Sequence, residues 1–391
     1  SITLINTYDF LSLRPFKLVW ELLENGKAIQ QGEINELNIS PGAKQGVTIP
    51  FNIPSYNTGA EYFVNVSLKL KEATSWASAG HEVAYQQLYV KATPSPKAVV
   101  TWPATSTVKV GLVRGGGIQL TNPQFKIIFD RKSIGISSFI YKNRELIANP
   151  LQPNFWRVPT DNDEGGAKAS FASRWRAAGL DSLRRMGGDI RVEQIGLSTA
   201  RVHTQSTWVG KTGISFVVKT TYTVFGSGDM EVKNTITING NNVPPLPKIG
   251  MQIQLPASFR NLSWYGRGPF ESYWDRKSSA RVGEYSGQIA DQHFSYIMPQ
   301  ENGNKTDVRW AAVTDSVGVG LLVMGNPTLN FSAHDYTDAD LLASKTTQNL
   351  SRGLTTTLNF DYQLMGLGGD DSWTPRTHPE YLLSDKEYSY S

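Results

Sequence analysis

The 391-residue chain contains no cysteine. That excludes disulfides, thiol nucleophiles and cysteine-bound zinc, and it leaves cytoplasm and periplasm equally open. Histidine is scarce: His81, His203, His293, His334 and His378 lie far apart, none at the His-x-x-x-His spacing of a metal site. There is no Gly-x-Ser-x-Gly elbow and no Gly-x-x-x-x-Gly-Lys loop, so serine-hydrolase and nucleotide chemistry lack support. No block of five or six like charges occurs, and the balance of 38 basic against 34 acidic residues is only +4. Neither nucleic acid nor an anionic membrane is an expected partner. No apolar run approaches the roughly 18 residues of a membrane span, and residues 317–324 are only strand-length. The chain opens on Ser1 with no basic and apolar leader, and it reads as a processed or partial product.

What the chain has is aromatics and glycine: 11% Phe, Trp and Tyr, and 35 glycines. Its patterns are those of strands, where aromatics are favoured. In the first hundred residues, Phe16-Lys17-Leu18-Val19-Trp20-Glu21-Leu22 runs into the hairpin signal Asn25-Gly26. Tyr62-Phe63-Val64-Asn65-Val66-Ser67-Leu68-Lys69-Leu70 alternates with period two, and residues 81–90 form a closing strand. Such spacing predicts an immunoglobulin-like β-sandwich over residues 1–92. Pro94, Pro96 and Pro103 mark a linker at 93–103. Residues 104–391 read again as strands, at 125–129, 207–223, 230–238, 249–255 and 354–362. So much strand requires a large antiparallel double sheet, making the chain all-β. Two helices interrupt it. One places Phe171, Trp175 and Ala178 on a face before Gly179, and Thr337-Asp338-Ala339-Asp340 opens the other as a capping box.

Four polar segments are candidates for chemistry. Arg157-Val158-Pro159-Thr160-Asp161-Asn162-Asp163-Glu164-Gly165-Gly166 crowds oxygen side chains before two glycines. Its Asp-x-Asp suggests calcium, but the glycine and distal Glu miss EF-hand spacing. The alternative is a loop in which Asp161 pairs with Arg157 and caps the helix, with Gly165 and Gly166 as a hinge. In the 264–276 segment, Glu271, Asp275 and Arg276 serve either acid–base work or internal salt bridges. Glu301 and Asp307 stand near Lys305 and Arg309, whose pairing is the simpler account. In Gly366-Leu367-Gly368-Gly369-Asp370-Asp371-Ser372-Trp373, the indole is either a platform for a sugar ring or a plug folded into a turn.

These segments resemble, in order, the C-terminal part of the lactose-operon-type bacterial β-galactosidases of glycoside hydrolase family 2. Arg157-Val158-Pro159-Thr160-Asp161-Asn162-Asp163 is similar to the family's Arg-x-Pro-x-Asp-Asn-Asp loop. Gly266-Arg267-Gly268-Pro269-Phe270-Glu271-Ser272-Tyr273-Trp274-Asp275-Arg276 is similar to its Gly-x-Gly-Pro-x-Glu-x-Tyr-x-Asp-Arg. Pro299-Gln300-Glu301-Asn302-Gly303 resembles its Pro-Ser-Glu-Asn-Gly turn with Gln300 for Ser, and the Met365–Trp373 run resembles Met-Gly-x-Gly-Gly-Asp-Asp-Ser-Trp. The resemblance implies a β-supersandwich, related in shape to galactose mutarotases, over 104–391. It implies that Trp373 stacks on the substrate sugar and that Arg157, Asp161, Asn162, Asp163 and Gly165 belong to a mobile active-site loop with Gly165 as hinge. Asp370, Asp371 and Glu301 are expected to support that site from behind. It also implies that the two catalytic glutamates, set about 5 Å apart in a retaining glycosidase, belong to a (β/α)₈ barrel outside these residues, as do the magnesium and sodium ligands. No catalytic residue, metal or cofactor is therefore expected here. The expected partners are a galactoside such as lactose and the barrel domain or large subunit, with the full enzyme a homo-oligomer. On this reading the chain is a C-terminal fragment, or the small chain of a split enzyme, inactive alone. Two rivals are a stand-alone carbohydrate-binding module and an aldose-1-epimerase-like enzyme using Glu301 with His293 or His334.

Overall fold

The computed structural model describes residues 1–53, 55–93, 106–371 and 376–391, with the side chain of Ala167 excepted. Most of the linker expected at 93–103 lies outside the described residues, as does Trp373. The described chain divides into two units, one on the residues before 94 with 281–284, the other on 106–280 and 285–391.

In the first unit a sheet ordered Lys27–Ile34, Phe16–Glu24, Glu61–Leu70, Glu82–Ala92 shares its core with the pair Ile2–Ile5 and Lys44–Val47. Leu18, Trp20, Leu22, Val64 and Val66 fill that core. Asn25 and Gly26 both take positive φ, the left-handed pair that closes a tight hairpin. The alternation read at 62–70 does not separate a wet face from a dry one, because residues 62–67 are all buried. Val64 and Val66 face the core, while the opposite face is covered by cross-strand partners. Phe63 packs edge-on against Tyr89, Gln87 donates to Asn65, and Ser67 donates to Glu82.

Three antiparallel sheets build the second unit. A seven-stranded sheet runs Asn149–Asn154, Lys248–Pro256, Thr355–Leu364, Gly320–His334, Lys305–Thr314, Asn261–Gly268 and Arg281–Gln288, of whose last strand residues 285–288 fall in this unit. One five-stranded sheet runs Arg184–Gly196, Thr199–Val209, Ser215–Phe225, Met230–Asn239, Glu387–Tyr390. The other runs Arg144–Glu145, Gly135–Tyr141, Phe125–Asp130, Gly117–Thr121, Lys109–Val113. Phe129, Tyr222, Leu255, Trp264 and Val308, contributed by all three sheets, meet in one apolar cluster. Sheets of this size must stack to cover their apolar faces, and these do. The strand expected over 207–223 is a hairpin, since Thr212 and Gly213 at positive φ turn the chain between its two arms.

Both expected helices form. Phe171–Ala178 is capped by Ser170 and stopped by Gly179 in the left-handed region, burying Trp175. Asp338–Ala343 carries the Thr337–Asp340 capping box. A third short helix, Asp161–Glu164, forms inside the polar loop expected at 157–166.

Candidate functional site

All four polar segments meet in the second unit, and Arg157 is their anchor. Its guanidinium is fully buried and pairs bidentately with Asp163, Nη2 lying 2.8 Å from Oδ1 and Nε 3.3 Å from Oδ2. It also donates to the carbonyls of Met365 and Gly366. Burial alone would depress the Arg157 guanidinium, but the adjoining Asp163 carboxylate outweighs it and the net shift is upward. The expected partner, Asp161, does not fill this role. Thr160 is the N-cap, its hydroxyl accepting from the Asp163 amide while Asp163 Oδ2 accepts from Thr160 N–H at 2.9 Å. That reciprocal capping box turns the carboxylate at the third helical position, Asp163, inward, where Arg157 lies, and leaves Asp161 at the surface. Asp161 instead pairs with Gln300, which accepts its N–H at 3.1 Å and donates to its carboxylate at 3.1 Å.

The glycine-rich segment is gripped from two further sides. Asp275 accepts from the amides of Leu367 (3.0 Å) and Gly368 (2.8 Å), and Asn162 donates to the Leu367 carbonyl at 3.2 Å. The closeness of these partners explains two of the glycines. A Cβ on Gly366 would sit 2.6 Å from Asp275 Oδ2, and one on Gly369, already at φ +87°, would sit 2.4 Å from Asn162 Nδ2. Gly165 has an ordinary extended backbone at φ −63°, and the positive φ belongs to Gly166 at +96°. Asp370 and Asp371 are exposed, and Asp370 pairs with His378. The Asp370 carboxylate raises the His378 imidazole above its usual range.

Of the second segment, Glu271 pairs with Arg276 as the salt-bridge reading expected. It also accepts from Tyr296 and from the Gly303 amide. Asp275 takes no part in that bridge. The pairing expected for Glu301 and Asp307 is replaced. Asp307 stands at φ +53° where the register of Lys305–Thr314 slips, so its side chain leaves Lys305 and Arg309 and meets Arg267 and Lys277.

Glu301 faces the Tyr273 hydroxyl at 3.5 Å. Although part of the residue reaches water, its carboxyl is enclosed. Burial raises it to about 8, against the pull of Lys248 and Arg157 and with the push of Asp338 and Asp361. Beneath lies the buried pair Lys248–Asp361 at 3.3 Å, in which burial lifts the aspartate to about 6. Glu301 therefore holds its proton to a higher pH than an ordinary glutamate. His334 is buried, stacked on Tyr336, donates from Nε2 to the Asn302 carbonyl at 3.0 Å, and is pushed by burial to about 3. His293 is held by the Tyr336 hydroxyl. Among the described residues no group of three His, Asp or Glu is arranged to hold a metal ion.

The sequence reading missed Lys248 and Asp361. The signal was present, since each is the sole charged residue on its strand, and such charges need each other when buried. Asp275 was noted, but nothing local showed that its partners would be amides some ninety residues later.

The class these features define is a multi-sheet β-sandwich protein in which four polar segments are tied together, Asp163 and Asp275 acting as acceptors. A family model described as "Beta galactosidase small chain" matches residues 121–391, and one for β-galactosidase domain 4 matches residues 2–91. A β-galactosidase of Priestia megaterium is 34% identical over 97% of this chain and 36% of its own length. Those of Pseudoalteromonas haloplanktis (30%) and Vibrio cholerae (32%) are each covered over 37% of their length and match 100% of this chain. The chain belongs to the β-galactosidase family of glycoside hydrolases, corresponding to a C-terminal portion of these enzymes. It spans a little over a third of the length of the curated relatives it matches.

Proposed function

We propose that this chain completes the active site of a retaining β-galactosidase acting on terminal β-D-galactosides such as lactose, without supplying its catalytic carboxylates. On this reading an immunoglobulin-like domain (1–92) leads through a linker into a supersandwich (104–391) that presents the loop 157–166 and Trp373 to a separate catalytic barrel. The barrel holds the acid/base and nucleophilic glutamates and the metal ions. One observation supports this most directly. Arg157, Asn162 and Asp275, from two loops, converge on residues 365–369 and fix the backbone that leads into Trp373. A hydrogen-bonded clamp on a glycine-rich backbone is what a precisely placed contact residue requires.

The test is Trp373→Ala in the complete enzyme. A stacked indole contributes about 1–3 kcal/mol of sugar binding by the scale of aromatic stacking and buried apolar area. The expected result is at least a tenfold loss in kcat/KM for a nitrophenyl galactoside with the fold intact. Unchanged kinetics would refute the assignment.

A further inference from the structure

Beside the clamp lies a loop whose side chains point the wrong way for a protein that ends at its own surface. Residues 293–298 are the first half of the connection from the turn Ile289–Gln292 to the strand Lys305–Thr314. Ile297 is 98% exposed, with Phe294 and Met298 more than half exposed and Phe270 nearly so. Single exposed apolar residues are normal, but four on neighbouring segments form a patch that water disfavours.

The backbone beneath this patch is not loose. Asn302 accepts from the Phe294 amide at 3.0 Å, Gln300 donates to the Met298 carbonyl at 3.1 Å, and Thr347 donates to the Tyr296 carbonyl at 3.3 Å. The Tyr296 hydroxyl donates to Glu271, the neighbour of Phe270 in sequence. Gly303 brings the return strand so close that a Cβ there would lie 2.5 Å from Gln292 O. An apolar knob held by its own hydrogen bonds has already lost the entropy that binding would otherwise cost, which is the signature of an interface hot spot.

We propose that loop 293–298, with Phe270, is the docking knob that seats this chain against the remainder of its enzyme, the part unmatched in the relatives. It inserts into an apolar recess with a polar rim. Two observations select that occupant. The chain accounts for only 36% of the Priestia megaterium relative, so a larger body must be placed somewhere on it. The knob is also continuous with the clamp through Gln300, which bonds both Met298 and Asp161. The inference rests on the β-galactosidase reading, and it adds where the two parts meet.

The test places the photo-crosslinking residue p-benzoylphenylalanine at position 297 in the complete enzyme, with Leu197, an exposed residue on a distant hairpin turn, as the comparison site. Crosslinked peptides are then mapped by mass spectrometry. The expected product joins position 297 to a peptide outside these 391 residues, at least fivefold above the yield from position 197. Crosslinks only within this sequence, including to a second copy, or none above the comparison site, would overturn the proposal. Ile297→Asp gives a second readout. The melting temperature of the 391-residue chain should stay within about 1 °C, while its association with the remaining part weakens at least tenfold. A normal association would overturn the proposal as well. Galactoside hydrolysis by the same preparation is scored separately, so a failed knob and a failed β-galactosidase reading give different results.

Discussion

Arg157 and Asp163 are the residues on which the site's geometry rests. A buried, bidentate ion pair is a modest source of net stability, but removing one partner strands the other charge without water. Asp163→Ala should destabilise the second unit by about 3–5 kcal/mol, measured by urea denaturation followed through Trp fluorescence. Asp161→Ala, at the surface, should cost under about 1 kcal/mol. Equal effects would contradict the assignment of the anchor. Glu301 gives a prediction with a defined sign. Its carboxyl rises from 4.5 to about 8 on folding, so the native state holds the proton that the unfolded chain releases. Stability attributable to Glu301 is greatest below about pH 4.5 and is lost progressively towards pH 8. Glu301→Gln keeps a neutral side chain throughout. It should flatten the decline in denaturation midpoint between pH 5 and 8, and an unchanged slope would argue against a buried, protonated carboxyl. At this scale the sequence was only partly legible. The residue types of the site were all visible, yet pairing depends on a capping box that turns Asp163 inward, and on a bulge that turns Asp307 away.

At the level of elements, the segment 365–369 acts as a strap held by three side chains from two loops. Its glycines matter because partners stand where side chains would be. Gly366→Ala must displace Asp275 and release the two amides it accepts from, at a cost of about 1–3 kcal/mol. Gly187→Ala is the contrast, since nothing lies within 4 Å of a Cβ built there. It should shift stability by no more than about 0.5 kcal/mol, and thermal denaturation of the two variants distinguishes them. Elements were where sequence reasoning served best. The helix Phe171–Ala178 carries a face of Phe171, Trp175 and Ala178 and a glycine stop, both local signals, and the Thr337 capping box is equally local. The strand at 62–70 shows the limit. Its alternation is correct, but the burial of both faces is decided by the partners Tyr89, Gln87 and Glu82 on another strand.

For the whole molecule, the decisive fact is proportion. Two family models cover residues 2–91 and 121–391, yet the relatives are nearly three times as long. The chain brings together a clamp on residues 365–369, the loop 157–166 and an exposed apolar loop at 293–298. The motif order alone made the family legible, because four spaced signatures define a family more sharply than composition can. The knob was not legible, since Phe294, Ile297 and Met298 look like ordinary core residues until their exposure is known. The central claim is that this chain completes a galactoside site without catalysing the reaction. Hydrolysis of a chromogenic β-galactoside by the purified 391-residue chain tests it most directly. The account predicts a rate indistinguishable from buffer, restored when the rest of the enzyme is supplied; steady turnover by the chain alone would contradict it.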